Sequence, residues 1–254
     1  MHAASREALD KLLQTLDTGL KESSNAVGTG ATTGTELFDV VDLLDQERSL
    51  RVALVDAAAT PEKRAELVKA LFSGKVSAST EEIVSAAVSQ TWSNARDLRT
   101  GLEQLGRRAL LRSAEAQGQL DRVESELFAL ARVLEREAEL ELLLSDKAAS
   151  ADDRRDLLAK VIYGKVSSVT EALALQAIGR ARKSPVDLLD GLCAEASALN
   201  GFEVARVRSA APLSDDQRSG LEAKLEKIYG RKITVHSEVD SSLLGGAVGR
   251  VGDE

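Results

Sequence analysis

At 254 residues the chain exceeds one typical domain of about 100–200 residues, and a hydrophobic content of 43% can fill two or three cores. Aromatics are only 3% and helix-forming residues dominate, while 41 acidic against 33 basic residues leave a net charge of -8, which opposes general affinity for nucleic-acid phosphates. The single Cys193 excludes an internal disulfide, and with His2 and His236 the only imidazoles no Cys/His zinc cluster can be assembled. No run approaches the roughly 18–20 apolar residues of a membrane span, and the first residues lack the apolar stretch of a signal peptide. The expectation is a mostly α, cytosolic chain that reaches a membrane only through a partner.

The first predicted element is an amphipathic helix with Leu9, Leu12, Leu13, Leu16 and Leu20 on one face. Gly-Thr-Gly-Ala-Thr-Thr-Gly follows at 28–34. It has the composition of a dinucleotide loop, but no strand precedes it, so a flexible linker between helices is expected.

From there the chain repeats itself. Residues 36–98 lie over 126–188 without a gap, matching Glu36-Leu37-Phe38 to Glu126-Leu127-Phe128, Arg64 to Arg154, and a Gly-Lys-Val-Ser block at Gly74 to another at Gly164. In each copy a capping residue, Thr60 (with Pro61 after it) or Ser150, opens a predicted helix with an apolar stripe, and the glycine closes it. A glycine at that point supplies φ > 0, and Lys75 and Lys165 sit near the negative end of the helix dipole. Ser79 and Ser168, each three residues ahead of a glutamate, are expected to start the next helix. A phosphate-binding P-loop needs four residues between two glycines and then Lys-Ser/Thr after a strand; here Val follows Lys and no strand precedes. Trp92 after the Ile83, Val84, Ala87, Val88 stripe is expected to pack, as is Cys193.

After residue 200 the pattern changes. A strand from Phe202 leads to a helix capped by Ser214 and Gln217 and stopped by Gly230, and then to a strand in which Ile233, Val235 and Val239 alternate with Thr234, His236 and Glu238. That alternation points His236 to solvent. A last strand from Leu243 is interrupted by Gly246, Gly249 and Gly252, expected to be bulge or close-approach glycines. The predicted fold class is therefore mostly α with a small α/β C-terminal unit: tandem duplicated helical bundles at 1–110 and 111–200, followed by a strand–helix–strand–strand domain at 201–254.

A six-helix start followed by a small α/β unit ending in Val239-Asp240-x-x-Leu243-Leu244-Gly245-Gly246 resembles the delta subunit of the bacterial F-type ATP synthase, in its actinobacterial form with a duplicated N-terminal region. The resemblance spans essentially the whole chain. Two features depart from it: Gly249 stands where the family has an aliphatic residue, and the chain stops at Glu254 where relatives continue, which implies a shortened C-terminal unit.

The resemblance implies a stator subunit and not a catalyst. It would sit peripherally at the cytoplasmic face of the cell membrane, linking the F1 hexamer to the membrane-anchored b stalk and resisting rotation during proton-driven ATP synthesis. It also implies that the N-terminal helix of an F1 alpha subunit docks on the first and fifth helices, which carry Leu9, Leu12, Leu13 and Leu16, and Ile83, Ala87 and Val88. Ordinary bundle packing explains the same residues. The copies Leu173 and Ala177 offer a possible second groove, and the C-terminal unit would hold the end of the b-type stalk. No metal, cofactor, nucleic acid or directly bound nucleotide is expected. The rival readings are an unrelated helical adaptor, which would not require the Gly-Gly motif, and a nucleotide-dependent enzyme, which would bind ATP or NAD through Lys75.

Overall fold

The computed structural model describes residues 1–180, 183–230, 232–240, 243 and 246–251, and the chain divides into two compact units, Met1–Gly118 and Gln119–Glu254. Most of 111–200 and all of 201–254 thus belong to one unit. The first unit holds α1 (Ala3–Glu22), α2 (Ala26–Gln46), α3 (Arg48–Ala53), α4 (Pro61–Phe72), α5 (Ala78–Ser89) and α6 (Ala95–Ala116). The second holds α7 (Leu120–Arg136), α8 (Ala138–Ser145), α9 (Ala151–Ile162), α10 (Ser168–Gly179), α11 (Pro185–Leu199), β1 (Glu203–Ser209), α12 (Asp215–Tyr229), β2 (Ile233–Val239) and β3 (Ala247–Val251).

The sequence repeat is a structural repeat, with α4 and α9, and α5 and α10, starting and stopping at matched positions. Thr60 accepts a hydrogen bond from the Lys63 amide, and Ser150 forms a reciprocal capping box with Asp153. Gly74 and Gly164 then take φ of 73° and 68°, in the left-handed region that a Cβ disfavours. The amides of Lys75 and Val76 both bond to the Phe72 carbonyl, and that of Lys165 to the Ile162 carbonyl. These N–H groups close a helix and are not presented to a phosphate.

The next helices start earlier than the sequence suggested. The caps are Ser77 and Ser167, not Ser79 and Ser168, and the acid that completes each cap comes from a distant helix. Glu36 on α2 accepts from the Ser77 amide and hydroxyl, at 2.9 and 2.6 Å, and from the Thr80 hydroxyl. Its copy Glu126 on α7 accepts from the Ser167 amide at 2.9 Å and the Thr170 hydroxyl at 2.6 Å. Burial would raise both carboxyls, but these donated hydrogen bonds outweigh it and hold them below the ordinary range. A capping box within one segment could not do this, because the third residue of each helix is a threonine.

Residues 28–34 are not a linker. They form the first turns of α2, capped by Asn25, and their glycines let α2 lie against α6. A Cβ on Gly34 would stand 2.6 Å from Leu110 Cγ and 2.9 Å from the Gly106 carbonyl oxygen, and one on Gly30 2.9 Å from the Ala109 carbonyl oxygen. Polar, small residues there satisfy a helix–helix contact at backbone distance, which overrides their low helix propensity.

In the second unit the sheet has the order β2-β1-β3, with β1 parallel to β2 and antiparallel to β3. Ala205, Val207, Ile233, Val235 and Val251 form its small core, against which Leu221, Leu225 and Tyr229 of α12 pack. His236 does not face solvent. It is 9% exposed, its Nε2 lies 2.8 Å from Glu124 Oε1 on α7, and its ring stacks on Phe128 at 4.4 Å. Alternation correctly put it on the face opposite Ile233, but that face is covered by a helix as well. Gly249 has its nearest neighbour at 3.6 Å, so it marks no close approach, while Gly246 takes φ of 78°. Leu244, Gly245 and Gly252 lie outside the described residues.

Gly34→Val should destabilise the first unit by about 1–3 kcal/mol in urea unfolding, as overpacking does. An unchanged midpoint would mean that α2 and α6 can separate at no cost.

Candidate partner-binding surfaces

The helices expected to receive a partner meet along one seam. Leu9, Leu12 and Leu16 of α1 and Ile83, Ala87 and Val88 of α5 are all buried in the core of the first unit, and Leu13 is partly buried against it. Trp92 closes the end of this core, its Nε1 donating to the Ala87 carbonyl at 2.8 Å. Leu173 and Ala177 are likewise buried on α10. Most of the expected contact residues therefore hold helices together.

Two of them do more. Leu16 and Ile83 line a shallow cavity of about 90 Å³ on the α1–α5 seam, together with Thr15, Gly19 and Leu20 of α1, Thr29, and Ser79 and Glu82 of α5. Sequence reading missed Thr15, Gly19, Thr29, Ser79 and Glu82, which belong to no apolar stripe. Gly19, bare in an otherwise regular helix, was the available signal: a Cβ there would meet nothing within 4 Å.

Ionic clamps fix α1 from behind. Asp17 accepts from Arg108 Nε and Nη2 at 3.0 and 2.6 Å and from Arg112 Nε and Nη2 at 2.9 and 2.7 Å, a doubly bidentate arrangement with α6. Burial by itself would raise the Asp17 carboxyl, but the hydrogen bonds and charges of Arg112 and Arg108 outweigh it and hold it well below its ordinary value of 3.8.

Three groups with metal-binding chemistry meet in the second unit. Ligand atoms of Glu124, Cys193 and His236 lie within 4.8 Å of one another. They are already committed: Glu124 and His236 pair with each other, and the Cys193 thiol lies 3.6 Å from the Glu124 carbonyl. Burial, aided by the charges of Glu124 and Asp190, pushes that thiol up to about 12, so the thiolate a metal requires is disfavoured. The trio fastens β2 and α11 to α7.

A family model described as ATP synthase delta (OSCP) subunit matches residues 107–254, more than half of the chain. The chain belongs to the ATP synthase delta (OSCP) subunit family. Similarity to curated delta subunits extends over the whole of it. The ATP synthase subunit delta of Corynebacterium urealyticum is 81% identical over 254 residues, covering 100% of this chain and 93% of that protein. Those of Corynebacterium jeikeium and Corynebacterium diphtheriae are 71% and 57% identical with the same coverage. The family match begins within α6 and covers the second copy and the α/β segment, so the first copy, residues 36–98, lies outside it. Among the described residues no helix is long and apolar enough to cross a membrane.

A carboxyl depressed in the folded state contributes stability present above its unfolded value and lost as pH falls through the folded one. Asp17→Asn should thus be less stable than the parent by about 1–3 kcal/mol at neutral pH. Denaturation at successive pH values should show the gap narrowing once pH falls below 3.8. A gap constant with pH would show that the clamp does not work through charge.

Proposed function

We propose that this chain is a non-catalytic stator element of the ATP synthase, tying the F1 hexamer to the membrane-anchored b-type stalk and resisting rotation of the hexamer. The observation that carries the reading is the identity to delta subunits over the full length of the chain. In this reading the chain handles no nucleotide itself and lies peripherally, at the cytoplasmic face of the membrane. Residues 1–110 and 111–200 act as two helical docking bodies, and 201–254 as the stalk-facing domain.

The α1–α5 seam supports a helix-in-groove contact with an F1 alpha-subunit N-terminal helix. Its cavity places the apolar Leu16, Leu20 and Ile83 beside the hydroxyls of Thr15, Thr29 and Ser79, a mixture suited to an amphipathic helix. Leu9, Leu12, Ala87 and Val88 serve this contact indirectly by fixing the two helices, and Leu13 stands at its edge. Leu173 and Ala177 hold the matching positions on α10, and we assign them the same framing role in a second groove.

Cross-linking mass spectrometry on membranes containing the complex should link Lys11, Lys75 or Lys165 to alpha-subunit N-termini, and Lys224 or Lys227 to the b-type stalk. Links only to unrelated soluble proteins would sink the stator reading. For the groove itself, Gly19→Leu is informative because the added side chain enters open space inside the cavity lining. It should leave stability equal or raised by about 0.5–1 kcal/mol, since glycine is a poor helix former. It should also weaken binding of an alpha-subunit N-terminal peptide about tenfold, the scale of blocking one anchor pocket. Undiminished peptide affinity would place the contact elsewhere.

A further inference from the structure

The sheet of the second unit has two unlike faces. One carries the aliphatic core under α12. Alternation puts Arg206 and Arg208 of β1, His236 and Glu238 of β2, and Val248 and Arg250 of β3 on the other. Helix α7 covers this second face only in part. Phe128 reaches His236, Arg132 and Glu135 form a wall, and between helix and sheet remains a cavity of about 310 Å³. At its mouth Val248 is 55% exposed, the Arg208 side chain 59%, and Arg250 is exposed as well.

The lining is basic in an acidic chain. It holds Arg132, Arg206, Arg208 and Arg250 against Glu135 and Glu238, whereas the whole sequence carries a net charge of -8. The inner arginines are held by Asp190, at 2.9 Å from Arg132 and 2.7 Å from Arg206. Arg208 meets its acids only loosely, at 4.0 Å from Glu238 and 3.7 Å from Asp240. The Nε of Arg132 is buried with no hydrogen-bond partner among the described residues. A guanidinium has five N–H donors, so two long ion pairs leave donors of Arg208 to be satisfied from outside.

We propose that this cleft receives an acidic polypeptide segment, whose carboxylates engage Arg208 and Arg250 while one aliphatic side chain lies over Val248. This rests on the stator reading, in which the segment belongs to the b-type stalk. Charge complementarity selects the class of partner. The arginines are spread over α7, β1 and β3 with Glu135 and Glu238 between them, so a compact polyanion would meet two carboxylates, whereas acidic side chains spaced along a segment can reach the arginines and avoid both. The exposed Val248 provides an apolar contact that a phosphate would leave unused. Bidentate arginine–carboxylate pairs at such a rim act mainly on association and selectivity.

The test uses the full chain and a fluorescently labelled cytoplasmic segment of the b-type stalk subunit, followed by anisotropy at low and at physiological salt. The parent should bind more weakly as salt rises. Arg208→Glu with Arg250→Glu should weaken binding about tenfold or more and flatten the salt dependence, because rim charges govern both. The milder pair Arg208→Gln and Arg250→Gln should lose several-fold affinity with an unchanged thermal midpoint, which separates lost contacts from lost folding. Unchanged affinity in both variants would overturn the cleft proposal while leaving the stator reading intact. A parent that fails to bind the stalk segment at all would overturn both. Displacement of the segment by millimolar inorganic phosphate or ADP at constant ionic strength would assign the cleft to a small anion and overturn the peptide proposal.

Discussion

One carboxylate per repeat, supplied across space to the start of a helix, sets the geometry on which the rest depends. Glu36 and Glu126 take the N-terminal donors of α5 and α10 from 41 residues away in sequence. Four amides at the start of any helix lack intrahelical partners, and here a long helix provides the missing acceptor. The carboxylate also sits at the positive end of the helix dipole, where its charge is favoured. The result is a fixed angle between α2 and α5, and between α7 and α10. Since Ser79, Glu82 and Ile83 of α5 line the cavity on the α1–α5 seam, the same cap sets the shape of that cavity.

The seam depends equally on how α1 is held. Apolar burial presses α1 onto the bundle, while Asp17 and its two arginines fix its position on α6. An exposed pair would contribute little, but a doubly bidentate carboxylate with partly buried partners is geometrically restrictive. Helices fixed by directional contacts as well as by nondirectional burial are held in one position and orientation. Arg64 of α4 donates to the carbonyls of Asp56, Ala59 and Val88, tying the turn before α4 to the end of α5.

The α/β segment follows a different logic. Its five fully buried aliphatic residues make a core too small for independent stability, so the second face of its sheet leans on α7 and α11. That contact is polar: Glu124 with His236, Arg132 and Arg206 with Asp190, Phe128 under the imidazole. Buried ionic groups contribute modestly as pairs and heavily when one partner is removed, so they specify register more than they add stability. The half-covered remainder of the same face is the arginine-lined cleft.

The helix starts at Thr60, Ser150 and Ser214, the left-handed glycines at 74, 164 and 230, the duplication and the strand–helix–strand–strand succession along the chain were legible in the sequence, because each follows from contacts within a few residues or from repetition. Residues 28–34 were misread because glycine and threonine look alike in a linker and in a helix whose neighbour approaches to backbone distance. The Ser77 and Ser167 caps were missed because their acceptor lies on another helix. His236 was misassigned because period two identifies a face and not what covers it. Local propensity and patterning are written in the amino-acid order. The caps, the seam at Gly19 and the basic cleft arise only when segments distant in sequence are brought within hydrogen-bonding range, and that was decided by tertiary packing alone.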